Sequence, residues 1–150
     1  MKKRQQRLER IRAVEREFLI ARLALDYFKL QQRSQPELMH DTDLEIADLN
    51  RAVQRLEGRY FTSLFAEFEA GCRDVWENFL VQSTVPRMRD LIDGLGSRRS
   101  IPASDQQDAH DVREYRNSVI HERNDEVDAM PIRDATNRLC KFFRWMPLDW

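Results

Sequence analysis

The sequence predicts an all-α protein, a single helical bundle of five to six helices that begins with a long N-terminal helix. The 150 residues include only four glycines and five prolines, and 34% are charged, which is a helix-rich composition. Long stretches free of both residues carry apolar side chains at steps of three and four, the spacing of one helix face. A chain of this length also fits one domain with its own core, so we interpret residues 1–150 as a single domain.

Residues 4–32 are predicted to form the long first helix, which the sequence around Pro36 ends. A heptad-like seam runs along it and comprises Leu8, Ile11, Val14, Phe18, Ala21, Leu25 and Phe28. A second apolar strip comprises Leu19, Leu23, Tyr27 and Leu30. Two strips on one helix indicate contacts on two sides, one with the protein's own bundle and one with a partner.

Charge is uneven over the first two predicted helices. Residues 1–33 hold ten basic and four acidic side chains, whereas residues 34–57 hold two basic and six acidic ones. We favour two adjacent helices of complementary charge. The alternative is a basic arm that attracts nucleic-acid phosphates, whose field the acidic segment would partly cancel.

The middle of the chain predicts three further helices. Thr42 or Asp43 is expected to cap the first of them, which runs to about Glu57 and stops at Gly58. Its expected inward residues are Leu44, Ala47, Leu49, Val53 and Leu56. Residues 60–82 are the most apolar segment and are expected to form the central core helix. A short helix over residues 88–95 and a loop over residues 96–102 follow.

Ser104 or Asp105 is predicted to cap the next helix, which ends near Asn124. The last helix is expected to start at Met130-Pro131. Its apolar set comprises Ile132, Ala135, Leu139, Cys140, Phe142 and Phe143. The segment 145–150 holds two tryptophans, which predicts that it packs back on the bundle, because an exposed tail of this kind would form an apolar patch.

The composition also limits where the protein is expected to work. No apolar run approaches the length that spans a bilayer, and no signal-type segment follows the basic N-terminus. Cys72 and Cys140 lack the spacing of a metal site or a disulfide framework. We therefore expect a cytoplasmic protein, without membrane contact, whose two thiols stay reduced in the core.

The predicted helix over residues 111–122 has an apolar stripe that comprises Val112, Tyr115 and Val119. Arg116 falls within that stripe, where a guanidinium is costly unless it is paired or reaches past the apolar surface. A second face is wholly polar and comprises His110, Arg113, Glu114, Asn117, His121 and Asn124. Arg116 and His121 lie roughly 140° apart around the helix, so the long arginine side chain allows both heads to meet over Asn117.

The segment Arg116-Asn117-Ser118-Val119-Ile120-His121 resembles the motif of the HEPN superfamily. That motif is an Arg, a polar residue that is often Asn, a few further residues and a His, on a late helix of an all-α domain. The likeness covers about a dozen residues, VREYRNSVIHE. It implies a HEPN-like fold, a metal-independent endoribonuclease or a non-catalytic relative, and a dimer whose two motifs face each other. Some relatives carry a Tyr, modified by a partner enzyme, where this chain has Arg123.

Metal-independent cleavage of RNA suits the residue types of this motif. His121 is the candidate general base for the 2′-hydroxyl, because an imidazole titrates near working pH. Arg116 is the candidate group that stabilises charge on the phosphate, and Asn117 is placed to orient the imidazole or bind the phosphate. The expected products are a 2′,3′-cyclic phosphate and a 5′-hydroxyl. A second protomer would supply the proton donor for the leaving group.

Arg113, His110 and Glu114 share the polar face and are predicted to bind substrate. Other interpretations of the same residues stay open. Arg116 and Asn117 suit an interhelical hydrogen-bond network, with His121 as a polar helix end. A metal site that combines His110, Glu114 and His121 matches no recognised ligand pattern, so we expect no metal or cofactor.

Two functional classes follow from these residues. The first is an endoribonuclease of the toxin or phage-defence kind, which acts on RNA and is controlled by a cognate antitoxin or another partner protein. The second is a non-catalytic helical module that binds a nucleotide or a protein through the same polar face. In both classes a homodimer is expected.

Overall fold

The computed structural model describes residues 1–120 and 129–150. Within these ranges the protein is all-helical, which confirms the predicted fold class of an all-α bundle that opens with a long helix. Its helices are α1 (Lys3–Ser34), α2 (Ile46–Asp74), α3 (Met88–Arg98), α4 (Ala103–Ile120) and α5 (Ile132–Phe143). A 3-10 helix (Pro36–Met39) follows α1, and a π-helical turn (Val75–Phe79) continues α2. None of the described helices has the length and apolar character to cross a membrane.

The predicted helix end at Gly58 is wrong, because α2 continues through it as one helix of 29 residues. Gly58 lies where α2 passes α4 at close range. A Cβ atom at this position would lie 2.9 Å from Cγ1 of Val119. The glycine therefore serves the close approach of two helices rather than a helix end.

The predicted cap of α2 is also wrong. The cap residue is Glu45, whose side chain accepts a hydrogen bond from the backbone of Asp48. The Asp48 carboxylate accepts the backbone N–H of Glu45 in return, at 3.0 Å. Thr42 instead donates its hydroxyl to the Met39 carbonyl at 2.8 Å. The reciprocal pair satisfies two free N–H groups of the first turn, which explains why α2 starts after Thr42 and Asp43.

The helix α3 extends to Arg98, so the loop predicted over residues 96–102 is shorter than expected. Gly96 is buried in α3, and a Cβ atom there would lie 2.2 Å from the Gln106 side chain of α4. Gln106 uses this space to donate from Nε2 to the Ile101 carbonyl at 2.7 Å. Gly96 thus marks contact between α3 and α4.

The capping role predicted for Asp105 is wrong as well. Its carboxylate is buried and reaches past α4 to α5 and the chain end. It accepts the indole N–H of Trp145 at 2.8 Å and pairs with Nζ of Lys141 at 2.9 Å. Ser104, the other predicted cap, donates its hydroxyl to the Asp105 carboxylate at 3.3 Å. Asp105 therefore joins α4 to α5.

The core lies between the N-terminal half of α1, the C-terminal half of α2 and the three helices α3, α4 and α5. The ring of Phe68 in α2 is 5.5 Å from that of Phe142 and 6.4 Å from that of Phe143. All six predicted apolar residues of α5 are buried. Cys72 and Cys140 are buried free thiols, as expected, and burial raises the pKa of both.

The distal half of α1 is far less buried than the seam predicted. Beyond Phe18, only Gln32 is buried in this helix, and Phe28 at the end of the seam is 38% exposed. Similarly, Leu49 is the only buried residue of α2 before Phe61. Leu44 and Ala47, which were predicted to point inward, are exposed. We refer to residues 19–58 as the arm, because they pair α1 with α2 but add little to the core.

The C-terminal segment packs on the bundle, as predicted. Met146 is 1% exposed, and the ring of Trp150 lies 6.5 Å from that of Phe143. Arg4 at the start of α1 donates to the Met146 carbonyl at 2.9 Å. Trp145 is the more exposed tryptophan, and its indole N–H is held by Asp105. The chain end therefore closes against α1, α4 and α5.

Candidate functional site

The apolar side of α4 packs against α2, which fixes the direction of its polar residues. Val112 is fully buried. The ring of Tyr115 meets that of Phe61 edge-on, with centroids 4.8 Å apart. Val119 lies against Gly58. The stripe predicted from the sequence is therefore the side of α4 that faces the body of the protein.

Arg116 lies within this stripe, as predicted, and is half-buried. Its Cζ atom is 5.7 Å from the centroid of the Phe65 ring, and Nη1 donates to Oδ1 of Asn117 at 3.1 Å. Its Nε is buried and has no hydrogen-bond partner in the part of the chain that the structure describes. Among residues 1–120 and 129–150, no carboxylate forms an ion pair with this guanidinium. Among the described residues, the cation is thus held by an aromatic face and an amide, without a compensating negative charge.

Arg113, one turn before Arg116, has similar surroundings. Its Nε is also buried, and no described residue forms a hydrogen bond with it. Its Nη2 lies 3.2 Å from Oε1 of Glu114, whose side chain is 65% exposed. A pair with so exposed a carboxylate contributes little to stability. Arg113 and Arg116 therefore place two poorly compensated cations on successive turns of one helix.

His110, the third residue predicted to bind substrate, has a firmer contact. Its Nε2 lies 2.7 Å from Oδ1 of Asp93 in α3. The contact joins α3 to α4 and orients the ring. Of the three predicted binding residues, Arg113 and Glu114 contact each other, whereas His110 is held by a carboxylate from another helix.

His121 and Asn124 lie outside the described residues. The predicted meeting of Arg116 with His121 over Asn117 therefore stays a prediction. Within the described part of α4, the Asn117 amide accepts from the arginine, so it orients the guanidinium. Among the described residues, no group of three or more His, Cys, Asp or Glu side chains is arranged to hold a metal ion.

A cleft of about 580 Å³ opens between α2 and the C-terminal end of α4. Its α4 wall consists of Tyr115, Val119 and Ile120, and its α2 wall includes Gln54, Arg55, Glu57, Arg59 and Thr62. This α2 wall was not predicted, because a helix end at Glu57 separates Arg55 from Arg59 and Thr62. The available signal was a row of arginines at 51, 55 and 59, since four-residue steps share one helix face.

The N-terminal half of α4 is acidic and is compensated by α5. Arg138 lies 3.1 Å from Asp111 and 3.5 Å from Asp108. Lys141 pairs with Asp105 and also lies 3.6 Å from Asp108. Hydrogen bonding from Lys141, followed by that from Trp145, lowers the pKa of Asp105 below its usual value although burial opposes the shift. These charges act between helices, which indicates a structural role.

No protein-family model, curated protein or solved structure matches this chain. The case for a function therefore depends on the side chains of α4 and α2 and on the resemblance of residues 116–121 to the HEPN motif.

Proposed function

We propose that this protein is a metal-independent endoribonuclease that cleaves RNA by attack of the 2′-hydroxyl at a composite site formed by α4 of two copies. The observation that carries the proposal is the state of Arg116. A half-buried guanidinium with an unpartnered Nε and no ion pair in the described residues is costly in a folded protein. A phosphate would supply both the missing charge and the missing acceptors.

Each motif residue has a separate role in this reaction. His121 takes the proton of the 2′-hydroxyl, and the 2′-oxygen then attacks the adjacent phosphorus. Arg116 binds the phosphate oxygens as negative charge develops on them. The bond from phosphorus to the 5′-oxygen breaks, and His121 of the second copy gives that oxygen a proton. The products are a 2′,3′-cyclic phosphate and a 5′-hydroxyl. Asn117 keeps the guanidinium in position.

The cleft beside α4 supports RNA as the substrate. Arg55 and Arg59 from α2 and Tyr115 from α4 line it, so cationic side chains and an aromatic ring stand next to the motif half of α4. Arginines that follow a groove bind the phosphate backbone without regard to sequence. We propose that Arg113 and Glu114, with His110 held by Asp93, contact the RNA on the other side of Arg116.

The biological setting that fits such an activity is a toxin or a phage-defence effector in the cytoplasm. A metal-independent ribonuclease harms its own cell unless another component restrains it. We therefore propose a cognate antitoxin or another partner protein as the controlling element.

The direct test is an RNA-cleavage assay with the purified protein in excess chelator. His121→Ala should reduce cleavage by roughly 10²- to 10⁴-fold, the usual range for loss of a general base. His40→Ala is the matched control, because His40 is exposed in the segment before α2, and it should cleave at the parental rate. If His121→Ala cleaves as fast as the parent and leaves the same product ends, the catalytic assignment is wrong.

The alternative is a non-catalytic module that binds a nucleotide or a protein partner. The lining of the cleft favours this alternative. Arg55 and Arg59 suit the phosphate of a nucleotide, and the Tyr115 ring and the Thr62 hydroxyl suit its base. If neither the parent nor any variant cleaves RNA, yet the parent binds a nucleotide and His121→Ala does not, the binding module replaces the enzyme.

A further inference from the structure

The distal half of α1 carries an apolar surface that the single chain leaves uncovered. Leu19, Ile20, Leu23, Tyr27 and Leu30 are 49%, 68%, 71%, 65% and 61% exposed, and we refer to these five residues as the α1 strip. At about 100° per residue, the α1 strip lies on the side of the helix opposite the buried Ile11, Val14 and Phe18. It therefore faces away from the protein's own core.

The size of this surface is near the upper end for a monomer. Five large side chains, each about half or more exposed, present roughly 500 Å² of apolar area, within the range of about 300–600 Å² for the largest patch on a monomeric protein. Covered by an equal surface and bordered by polar contacts, this area reaches about 1,000 Å² in total, close to the lower limit for a specific interface. A second copy of the chain supplies such an equal surface.

We propose that the α1 strip is a self-association surface on which α1 of a second copy packs in antiparallel orientation. A two-fold axis level with Leu25 brings Leu23 of one copy against Tyr27 of the other. The same axis brings Ile20 against Leu30. Each contact then occurs twice, as a two-fold interface requires, and four of the five residues of the α1 strip meet another residue of the strip.

The charge distribution selects the antiparallel orientation. Residues 37–48, at the tip of the arm, hold five acidic side chains and no Lys or Arg, whereas residues 2–16 hold seven basic and two acidic ones. In the antiparallel pair, the acidic tip of one arm lies beside the basic N-terminal half of the other copy's α1, where Arg16, paired with Glu9, is exposed on the side of the α1 strip. A parallel pair would place two acidic tips together, which is unfavourable.

This surface is separate from the proposed RNA-cleaving site. The rings of Phe18 and Tyr60 lie 5.9 Å apart, and α2 runs antiparallel to α1. Phe65, which contacts Arg116, is therefore level with the part of α1 before Phe18. At 1.5 Å per residue, a two-fold axis at Leu25 leaves the two Arg116 side chains roughly 30 Å apart along α1. The inference consequently does not rest on the ribonuclease proposal, and a chain that uses both surfaces forms an assembly larger than a dimer.

The first test is the solution mass of Leu23→Glu/Tyr27→Glu, measured by light scattering over micromolar concentrations. The double variant should have half the mass of the parent, because two buried glutamates per copy disrupt the pair. Val85→Glu is the matched control. It makes the same change at an apolar residue that is 78% exposed outside the α1 strip, and it should keep the parental mass. A parent that is monomeric throughout, or a double variant with the parental mass, overturns the proposal.

The second test concerns orientation. Cys72 and Cys140 are both buried, so cysteines introduced in the α1 strip report on the interface alone. A mixture of Ile20→Cys and Leu30→Cys proteins should form disulfide-linked dimers under mild oxidation faster than either variant by itself. Faster linkage within each single variant would show parallel packing and contradict the antiparallel pair.

Discussion

The two halves of α4 differ in how their charged side chains are paired. In the N-terminal half, Asp105, Asp108 and Asp111 are compensated by Lys141 and Arg138 of α5. In the C-terminal half, the guanidinium Nε atoms of the two arginines at 113 and 116 are buried and have no hydrogen-bond partner in residues 1–120 and 129–150. Both halves belong to one helix and pack on the same bundle. They differ in which residues pair with their charged side chains.

Breaking a charge pair within the chain costs stability because it leaves one charge without its partner. We propose that a charge without a partner in the described residues serves contact with another molecule. Asp105 is an example of the first kind, because it joins α4 to Lys141 and to Trp145. We assign Arg116 to the second kind, since its partners among the described residues are an aromatic ring and a neighbouring amide. We therefore expect substitutions in the N-terminal half of α4 to lower stability and substitutions in the C-terminal half to lower activity.

The largest expected effect comes from removing the chain end that supports the compensated half. Truncation after Arg144 removes Met146, which is 1% exposed, and the indole that Asp105 holds. Loss of one buried Met with part of Trp150 should cost about 3 kcal/mol or more. The melting temperature should then fall by roughly 10 °C. Leu148→Ala, at a residue that is 48% exposed, is the control and should melt close to the parent. An unchanged melting temperature after truncation would mean that the tail is not part of the fold.

A smaller effect is expected for Asp105→Ala, at about 2 kcal/mol, the usual scale for a charged hydrogen bond. Bonds from Lys141 and then Trp145 lower the pKa of Asp105 in the folded state. Its contribution is therefore complete above the ordinary aspartate pKa of about 3.9 and is lost as the pH falls through the lower folded-state value. The melting temperatures of parent and variant should differ between about pH 5 and 8 and converge in strong acid.

The exposed Asp43 provides the control for this experiment, and Asp43→Ala should match the parent at every pH. If Asp105→Ala has the melting temperature of the parent at neutral pH, the charge pairs of the N-terminal half of α4 do not stabilise the fold as we propose.

The sequence predicted the elements that depend on local periodicity. The fold class, the apolar set of α5 and the stripe around Val112 follow from three- and four-residue spacing alone. The errors lie where a distant residue decides the local structure. Gly58 has the appearance of a helix end in the sequence, yet it is a helix contact because Val119 lies against it. Asp105 has the appearance of a cap, yet it is turned to α5 by Lys141.

For the candidate site, the sequence predicted that Arg116 lies among apolar residues, and the contact with Phe65 bears this out. The Asp93 partner of His110 and the α2 wall of the cleft were not predictable, because both depend on how helices distant in sequence pack together. The exposure of the α1 strip could not be predicted either. The periodicity of apolar residues is the same for a helix side that faces the core and for one that is exposed in the single chain.

The most direct test of the difference between the two halves is to compare Arg116→Met with Arg138→Met, with melting temperature and RNA cleavage measured for each. Methionine keeps most of the apolar stem and removes the charge. Arg116→Met should melt at or above the parental temperature and lose at least about 100-fold in cleavage. Arg138→Met should melt slightly lower, because the pairs it loses are partly exposed, and should retain the activity of its folded fraction. A lowered melting temperature with retained cleavage for Arg116→Met would contradict the functional role of the uncompensated half.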